Sequence, residues 1–248
     1  MEKIIIDNNL LTQENMISSG YEGSIFLVEN KIYKIFKDTI LSSQVRINSK
    51  IDKLLFLHEI GYIENMCYPE KLLFNDKGLF IGYSMNYHRK KINLNNFFSS
   101  NIDLQKKINM FNIIENITLN LAENNIYVVD NNLRNYMFTE EDKIIILDVD
   151  SVSTFNNRTE CLPTYFFDYY LSRFNDKIDY NYVKYTLALQ FLVLINNIDR
   201  RIIRYYDSTN DIVCNELISI FNEYNQNKIK LFFENNNYNQ RLSKILIK

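Results

Sequence analysis

Short apolar runs in the first third of the chain alternate with polar residues at the two-residue period of β-strands. Residues 24–28 and 31–36 are two such runs, and the Glu-Asn pair between them suits a tight hairpin. Two more strands are predicted on either side of a turn at residues 75–78, over residues 71–74 and 79–85. The first third is therefore predicted to be rich in β-structure.

Two longer segments show the three- and four-residue spacing of amphipathic helices. The first covers residues 42–58, and its predicted apolar face is formed by Val45, Ile47, Ile51, Leu54, Leu55 and Leu57. The second covers residues 103–123, and Ser100 with Asp103 is predicted to form a capping box at its start. These helices are expected to pack their apolar faces against neighbouring elements.

The rest of the chain has a mainly helical pattern. Helices are predicted over residues 182–195 and 211–224, and the Asn- and Lys-rich tail after residue 225 is predicted to be peripheral. An apolar strand is predicted at residues 143–147. A β-rich third followed by a mainly helical remainder predicts an α+β fold, with its division near residues 86–100.

Composition narrows the class of protein. With 248 residues, 46% of them hydrophobic and 23% charged, the chain can bury a sizeable core. A net charge of −2 gives no basic excess, so no nucleic-acid partner is expected. The longest apolar stretch, residues 187–195, is about half the ~20 residues of a membrane span. Cys67, Cys161 and Cys214 are far apart, which predicts reduced thiols and a cytoplasmic location.

Two groups of polar residues and glycines stand out along the chain. After the helix at 103–123, Asp130 and Asn135 stand five residues apart, and the apolar strand that follows ends in Asp148. Upstream, a loop with Gly20 and Gly23 precedes two strands, and the second of these strands carries Lys34. Either group alone is compatible with ordinary turns and a plain hairpin, so it is their combination and order that indicate a function.

In this order, the residues resemble the protein-kinase-like superfamily, in a divergent form similar to bacterial Ser/Thr protein kinase domains. The resemblance covers about residues 16–195 and follows the pattern D-x-x-x-x-N, then D-F-G or a variant. It implies a bilobal protein-kinase-like α+β fold. Residues 1–88 would form a β-rich N-lobe, and residues 89–248 a mainly helical C-lobe.

The resemblance also implies roles for single residues and two cofactors, ATP and Mg²⁺. Asp130 would orient the attacking hydroxyl and accept its proton, with Lys34 and Asn135 as further catalytic residues. Asn135 and Asp148 would hold Mg²⁺ through oxygen atoms. Gly20, Gly23 and Lys34 would contact the phosphates, and Met85, in the hinge-like segment 82–88, would contact adenine through its backbone. We expect the side chains of Lys34 and Asp148 to lie together, since their separation would rule out this resemblance.

The chain also departs from the family's pattern. Val128 and Val129 replace His-Arg, and Asp150 stands in the place of the glycine of D-F-G. The helix at 42–58 has no clear glutamate to pair with Lys34, and Asp52, the nearest acid, fits a solvated helix face better. Val183 stands where kinases carry a buried Asp, and residues 163–167 match A-P-E poorly. Because of these departures, the substrate platform and catalytic competence stay open.

Three functions are therefore compatible with the sequence. The first is an ATP- and magnesium-dependent phosphotransferase resembling a Ser/Thr protein kinase. The second is a small-molecule kinase of the aminoglycoside-phosphotransferase type, which usually needs a larger substrate-holding insertion than this chain has room for. The third is a nucleotide-binding pseudokinase scaffold. Because the chain is too short for a large insertion, a protein substrate is slightly favoured over a small molecule. The sequence gives no prediction of the oligomeric state.

Overall fold

The computed structural model describes residues 1–154, 178–196, 215–234 and 240–246. The chain divides into two units, Met1–Lys90 with Thr139–Asp150, and Lys91–Phe138 with Ser151–Lys248. We call these the N-terminal unit and the C-terminal unit. The segment predicted at 163–167, Cys161 and Cys214 lie outside the described residues.

The N-terminal unit consists mainly of strands, and most of the α-helices belong to the C-terminal unit. The strands are β1 (Glu2–Ile5), β2 (Met16–Ser19), β3 (Gly23–Val28), β4 (Lys31–Phe36), β5 (Pro69–Phe74), β6 (Phe80–Asn86), β7 (Lys90–Asn93), β8 (Ile126–Tyr127), β9 (Tyr136–Thr139), β10 (Ile144–Ile146) and β11 (Ser153–Thr154). The α-helices are α1 (Asp38–Leu41), α2 (Gln44–Ile60), α3 (Leu94–Ser99), α4 (Leu104–Glu123), α5 (Tyr180–Ile195), α6 (Asn215–Ile218), α7 (Glu223–Glu234) and α8 (Leu242–Leu246).

A six-stranded sheet with the order β1-β5-β6-β4-β3-β2 forms the N-terminal unit. The predicted strands β3 and β4 are confirmed, and they form a hairpin in which Glu29 has a φ of 55°. Strands β5 and β6 also lie where the sequence predicts them and pair antiparallel. The sequence does not predict β1, which pairs in parallel with β5 across about 70 residues of chain.

Helix α2 packs beside β5, but its buried face differs from the predicted one. Leu54 and Leu57 are buried as expected, whereas Val45 and Leu55 are 67% and 37% exposed. Lys50 joins the buried face because it precedes Leu54 by one helical turn. The prediction was wrong at Val45 and Leu55 because neither position falls on that stripe.

Three aromatic side chains from different helices form the centre of the C-terminal unit. The rings of Phe111 in α4 and Phe191 in α5 stack with centroids 4.1 Å apart. Phe98 in α3 meets Phe191 edge-on at 5.7 Å. Helix α5 is buried from Tyr182 to Ile195, as a central helix of a domain should be. Among the described residues, no helix combines the length and apolarity needed to cross a bilayer.

The start of α4 corrects the predicted capping box. The Asp103 carboxylate accepts hydrogen bonds from the backbone N–H groups of Gln105 and Lys106, so Asp103 is itself the N-cap. The Ser100 hydroxyl instead donates to the Phe97 carbonyl, and it therefore closes the end of α3. The prediction was wrong at Ser100 because a single residue, Asp103, satisfies the first free donors of the helix.

The C-terminal segments also differ from the prediction. Within the predicted helix at 211–224, the structure has α6 and then, after a break, the start of α7 at Glu223; residues 211–214 lie outside the described part. The tail is not peripheral, because α7 and α8 bury Phe232, Phe233, Leu242 and Leu246. The Tyr185 ring meets Phe233 with centroids 5.1 Å apart, so α7 contributes to the core.

Candidate functional site

Lys34 lies in a central strand of the N-terminal sheet, with Ile25 of β3 and Tyr83 of β6 opposite it. Glycine on each neighbouring strand lets the backbones approach closely. A Cβ atom at Gly82 would lie 2.0 Å from the Lys34 carbonyl oxygen, and one at Gly23 would lie 2.5 Å from the Ile35 carbonyl oxygen. Gly23 therefore has a packing reason to be glycine that is independent of any phosphate contact.

Asp148 is positioned by the short buried strand β10, which is anchored to the segment after α2. The Cys67 N–H donates to the Ile146 carbonyl at 2.8 Å, and the Ile146 N–H donates to the Asn65 carbonyl at 2.8 Å. The Asn65 side chain also donates to the Ile144 carbonyl. Asp148 follows this anchored strand by two residues, which fixes where its carboxylate lies.

The structure brings Lys34 and Asp148 together, as expected from the sequence. The Lys34 ammonium lies 2.6 Å from an Asp148 carboxylate oxygen and 2.5 Å from an Asp150 carboxylate oxygen. Asp148 keeps 27% of its side chain exposed, whereas the Asp150 side chain is fully buried. One lysine thus contacts one solvent-accessible acid and one enclosed acid.

Asp150 contacts two further polar groups, Lys50 through its other carboxylate oxygen and Tyr83 through the oxygen that also contacts Lys34. The Lys50 ammonium from α2 lies 2.6 Å from Asp150 and 2.9 Å from Glu22. The Tyr83 hydroxyl donates to Asp150 at 2.7 Å. We call Glu22, Lys34, Lys50, Asp148 and Asp150 the ion cluster; in it, cations and carboxylates alternate along a connected series of contacts.

The electrostatics of the ion cluster favour its charged form. Burial alone would raise the pKa of Asp150, but the ammonium groups of Lys34 and Lys50 hold that pKa well below its usual range. Burial alone would lower the pKa of Lys34, and the carboxylates of Asp148 and Asp150 outweigh it and raise the pKa. Burial, together with Asp150, raises the pKa of Tyr83 well above its usual value. Tyr83 therefore stays protonated and acts as a donor.

Sequence reasoning missed the parts played by Lys50, Glu22 and Tyr83, and treated Asp150 only as a departure from the family. One signal was available for Lys50, which stands at helical spacing before Leu54 on an otherwise apolar face. Asp52 is exposed on α2, which agrees with its interpretation as part of a solvated face.

The loop between β2 and β3 is a narrow turn. The Gly20 N–H donates to the Gly23 carbonyl at 2.8 Å, and the Lys37 ammonium donates to the Gly20 carbonyl at 2.6 Å. Met85 lies within β6, with Ile32 on one side and Pro69 on the other. Phosphate contacts at Gly20 and Gly23 and an adenine contact at Met85 stay predictions.

Asp130 and Asn135 come together in the C-terminal unit. The Asn135 amide donates to the Asp130 carboxylate at 3.1 Å and to its backbone carbonyl at 3.2 Å. The Asn132 N–H donates to the other carboxylate oxygen of Asp130 at 3.3 Å. These contacts hold Asp130 in one orientation, and they turn the carbonyl oxygen of the Asn135 side chain away from Asp130.

A neutral hydrogen-bond network holds this loop against α5. The Asn131 side chain donates to the Thr186 hydroxyl at 2.7 Å and to the Val183 carbonyl at 3.3 Å. The Tyr136 hydroxyl donates to the Asn131 side-chain oxygen at 2.9 Å. At Val183, where the sequence lacks the buried Asp of kinases, the backbone carbonyl accepts a hydrogen bond from Asn131. The sequence did not predict that Asn131 and Thr186 would link the loop to α5.

The donor atoms suit magnesium, which prefers hard oxygen ligands and usually combines one or two carboxylates with substrate phosphates. Asp148 offers a partly exposed carboxylate, and Asn135 offers the oxygen of an amide whose nitrogen is bound to Asp130. Within the described ranges, no three His, Cys, Asp or Glu side chains form a ready-made metal site.

Comparison with known proteins identifies the fold. No family profile and no curated protein matches the sequence. Among solved structures, the chain is similar to the kinase domain of Mycobacterium tuberculosis PknI, with a TM-score of 0.58 and 13% sequence identity. The match covers 74% of this chain and 73% of that one. The protein therefore has a protein-kinase-like α+β fold, with a β-rich N-terminal part and a helical C-terminal part.

Proposed function

We propose that the protein is an ATP- and magnesium-dependent phosphotransferase that resembles a Ser/Thr protein kinase. The observation that carries this proposal is the 2.6 Å contact between Lys34 and Asp148 within a protein-kinase-like fold. In kinases of this fold, a strand lysine and a metal-binding aspartate act on the same nucleotide phosphates. The fixed orientation of Asp130 by Asn135 supports the same function.

Each residue then has a chemical role. Lys34 would bind nucleotide phosphates as a compact positive charge, beside the turn formed by Gly20 and Gly23. Asp148 and Asn135 would each supply an oxygen to magnesium, which neutralises the phosphate charge. Asp130 would orient the acceptor hydroxyl and accept its proton. Met85 would provide backbone contacts to adenine.

The acceptor in this proposal is a hydroxyl group on a protein. The similarity to a protein kinase domain and the limited room for a substrate-holding insertion support a protein substrate over a small molecule. A cytoplasmic location, where ATP is abundant, belongs to the same proposal.

A nucleotide-binding pseudokinase is the second candidate, and one observation favours it. No acid of α2 is among the ion pairs made by Lys34; instead α2 brings Lys50, a second cation, into the ion cluster. In active protein kinases, a glutamate of the equivalent helix pairs with this lysine. In this chain, α2 contributes a cation to the ion cluster and no acid to Lys34.

A transfer experiment separates the two candidates. Purified protein with magnesium and γ-labelled ATP should label a general protein substrate such as casein or histone, or itself, and Asp130→Ala should reduce the rate by roughly 10²–10⁴-fold. ATP affinity should stay nearly unchanged, because Asp130 acts on the acceptor. Asp103→Ala, which removes an acid from a helix cap, is the matched control and should keep its activity. Tight ATP binding with no transfer by the wild type would instead identify a pseudokinase.

A further inference from the structure

Asp150 is a fully buried carboxylate with three partners in the N-terminal unit. It lies 2.5 Å from the Lys34 ammonium, 2.6 Å from the Lys50 ammonium and 2.7 Å from the Tyr83 hydroxyl. Two oxygen atoms that receive three charged or polar donors are held in a single orientation. The fixed carboxylate of Asp150 therefore holds the ammonium groups of both lysines in place.

Lys50 cannot perform the task of an acid on α2. Its ammonium has three donors and no acceptor, so it cannot receive a hydrogen bond from Lys34. Its side chain is only 3% exposed, and it contacts one carboxylate oxygen of Asp150 from the helix while Lys34 contacts the other from the sheet. The buried acid that pairs with Lys34 is therefore Asp150, in the segment after β10. Helix α2 contributes Lys50, a cation that pairs with the same acid.

Asp148 and Asp150 differ in what they can do for Lys34. Asp148 is partly exposed and is the residue expected to bind magnesium. If its carboxylate held a metal ion, it would attract Lys34 less strongly. Asp150 has no exposed side-chain surface, so its contact with Lys34 would remain. This division leaves Asp150 as the lasting anchor of the lysine.

Lys50 also connects Asp150 with the turn at Gly20–Gly23. Its ammonium lies 2.9 Å from the carboxylate of Glu22, which belongs to that turn. Lys50 thus has a second acid partner in Glu22, whereas the ion pairs of Lys34 are those with Asp148 and Asp150.

We propose that Asp150 is a positioning residue that orients Lys34 toward the nucleotide phosphates, with Lys50 of α2 as its balancing cation. The proposal rests on the proposed function, because it assigns the group that orients a phosphate-binding lysine. It also predicts that Asp150 acts on nucleotide affinity only through Lys34.

A double-mutant cycle between positions 34 and 150 tests this prediction. The affinity for magnesium-ATP is measured for the wild type, Lys34→Met, Asp150→Asn and the double variant. Each single change should weaken binding by about tenfold, as expected for the loss of one well-oriented charged contact. The double variant should bind within about twofold of Lys34→Met, because Asp150 has nothing left to orient.

A matched control and a second background keep the result interpretable. Glu70→Gln also replaces a carboxylate by an amide. Glu70 pairs with Lys31, which lies on β4 as Lys34 does, and the substitution should leave the affinity unchanged. If Asp150→Asn does not fold, all four proteins are prepared with Lys50→Met as well, which removes the buried charge that Asp150 balances.

The outcomes separate this inference from the proposed function. Wild-type binding with additive losses at positions 34 and 150, about a hundredfold in the double variant, would overturn the positioning role and leave the proposed function standing. Equal weakening by Glu70→Gln would also overturn it, because the effect would then be a general one. A wild type that does not bind magnesium-ATP would contradict both.

Discussion

Two buried lysines, one in each unit, differ in the direction in which their pKa is shifted. Lys34 in the N-terminal unit is 8% exposed, and two carboxylates in contact raise its pKa despite burial. Lys184 in the C-terminal unit is 1% exposed, and burial lowers its pKa to about 8, an effect that the charge of Glu115 offsets only in part. The Lys184 ammonium lies 5.7 Å from the centroid of the Phe232 ring. Similar burial thus gives opposite results, and the neighbouring carboxylates decide which.

The same contrast extends to the polar groups around each predicted site residue. The N-terminal unit holds Lys34 with charges, through Asp148 and Asp150, whereas the C-terminal unit holds its loop with neutral groups, through Asn131 and Thr186. A buried carboxylate that loses its counterions costs far more than a neutral hydrogen bond that loses its partner. We expect the two units to respond very differently to single substitutions.

The largest effect is expected for Asp150→Ala. It leaves Lys34 and Lys50 buried with less negative charge, so the free energy of unfolding should fall by about 3–5 kcal/mol. Glu70→Ala, which breaks the more exposed pair with Lys31, should cost at most about 1 kcal/mol. Urea denaturation of both variants measures this difference, and equal losses would show that the ion cluster is no stronger than a surface pair.

A smaller loss is expected for Asn131→Ala in the neutral network. The hydroxyls of Thr186 and Tyr136 would each lose a buried partner, which costs about 1–3 kcal/mol. Asn109→Ala, an exposed position on α4, should stay within about 0.5 kcal/mol of the wild type. The same denaturation experiment compares them, and a loss at Asn131 as large as that at Asp150 would remove the proposed difference between charged and neutral anchoring.

Lys184→Met should have the smallest effect, and that effect should depend on pH. The folded-state pKa of about 8 lies below that of the unfolded chain, so the folded state releases its proton first and wild-type stability rises with pH above about 8. The rise should end near pH ~10.4, where the unfolded chain also loses the proton. Met does not titrate, so Lys184→Met should lack this rise in stability between about pH 8 and pH ~10.4.

Melting temperatures of wild type and Lys184→Met between pH 7 and pH 11 provide the measurement. The wild type should gain melting temperature relative to Lys184→Met as the pH rises through this range. A difference that stays constant across the range would contradict the lowered pKa. Lys34→Met is the contrasting control and should destabilise at pH 7, because its ion pairs are lost.

The sequence predicts local features of this molecule well. Strands β3 and β4 carry their own alternation and their own turn, so the place of Lys34 follows from nearby residues. The five-residue spacing of Asp130 and Asn135 also encodes their contact locally. Features that depend on distant partners were harder to predict. Strand β1 has little pattern of its own and exists because it pairs with β5.

Composition was misleading where tertiary packing decides. The Asn- and Lys-rich tail carries isolated apolar residues such as Phe233 and Leu242, and these are buried only because other helices cover them. The ion cluster was equally hidden, since Glu22, Lys50 and Asp150 are far apart in sequence. The one local sign of the ion cluster was Lys50, a lysine on the apolar face of a predicted helix.

The central claim is that Lys34 and Asp148 form a site for ATP and magnesium, and calorimetric titration of ATP tests it most directly. The wild type should bind ATP more tightly with magnesium than with EDTA, and Asp148→Ala should lose most of that difference. Asp52→Ala, an exposed acid on α2, should behave like the wild type. A magnesium effect that persists in Asp148→Ala, or no ATP binding by the wild type, would contradict the account.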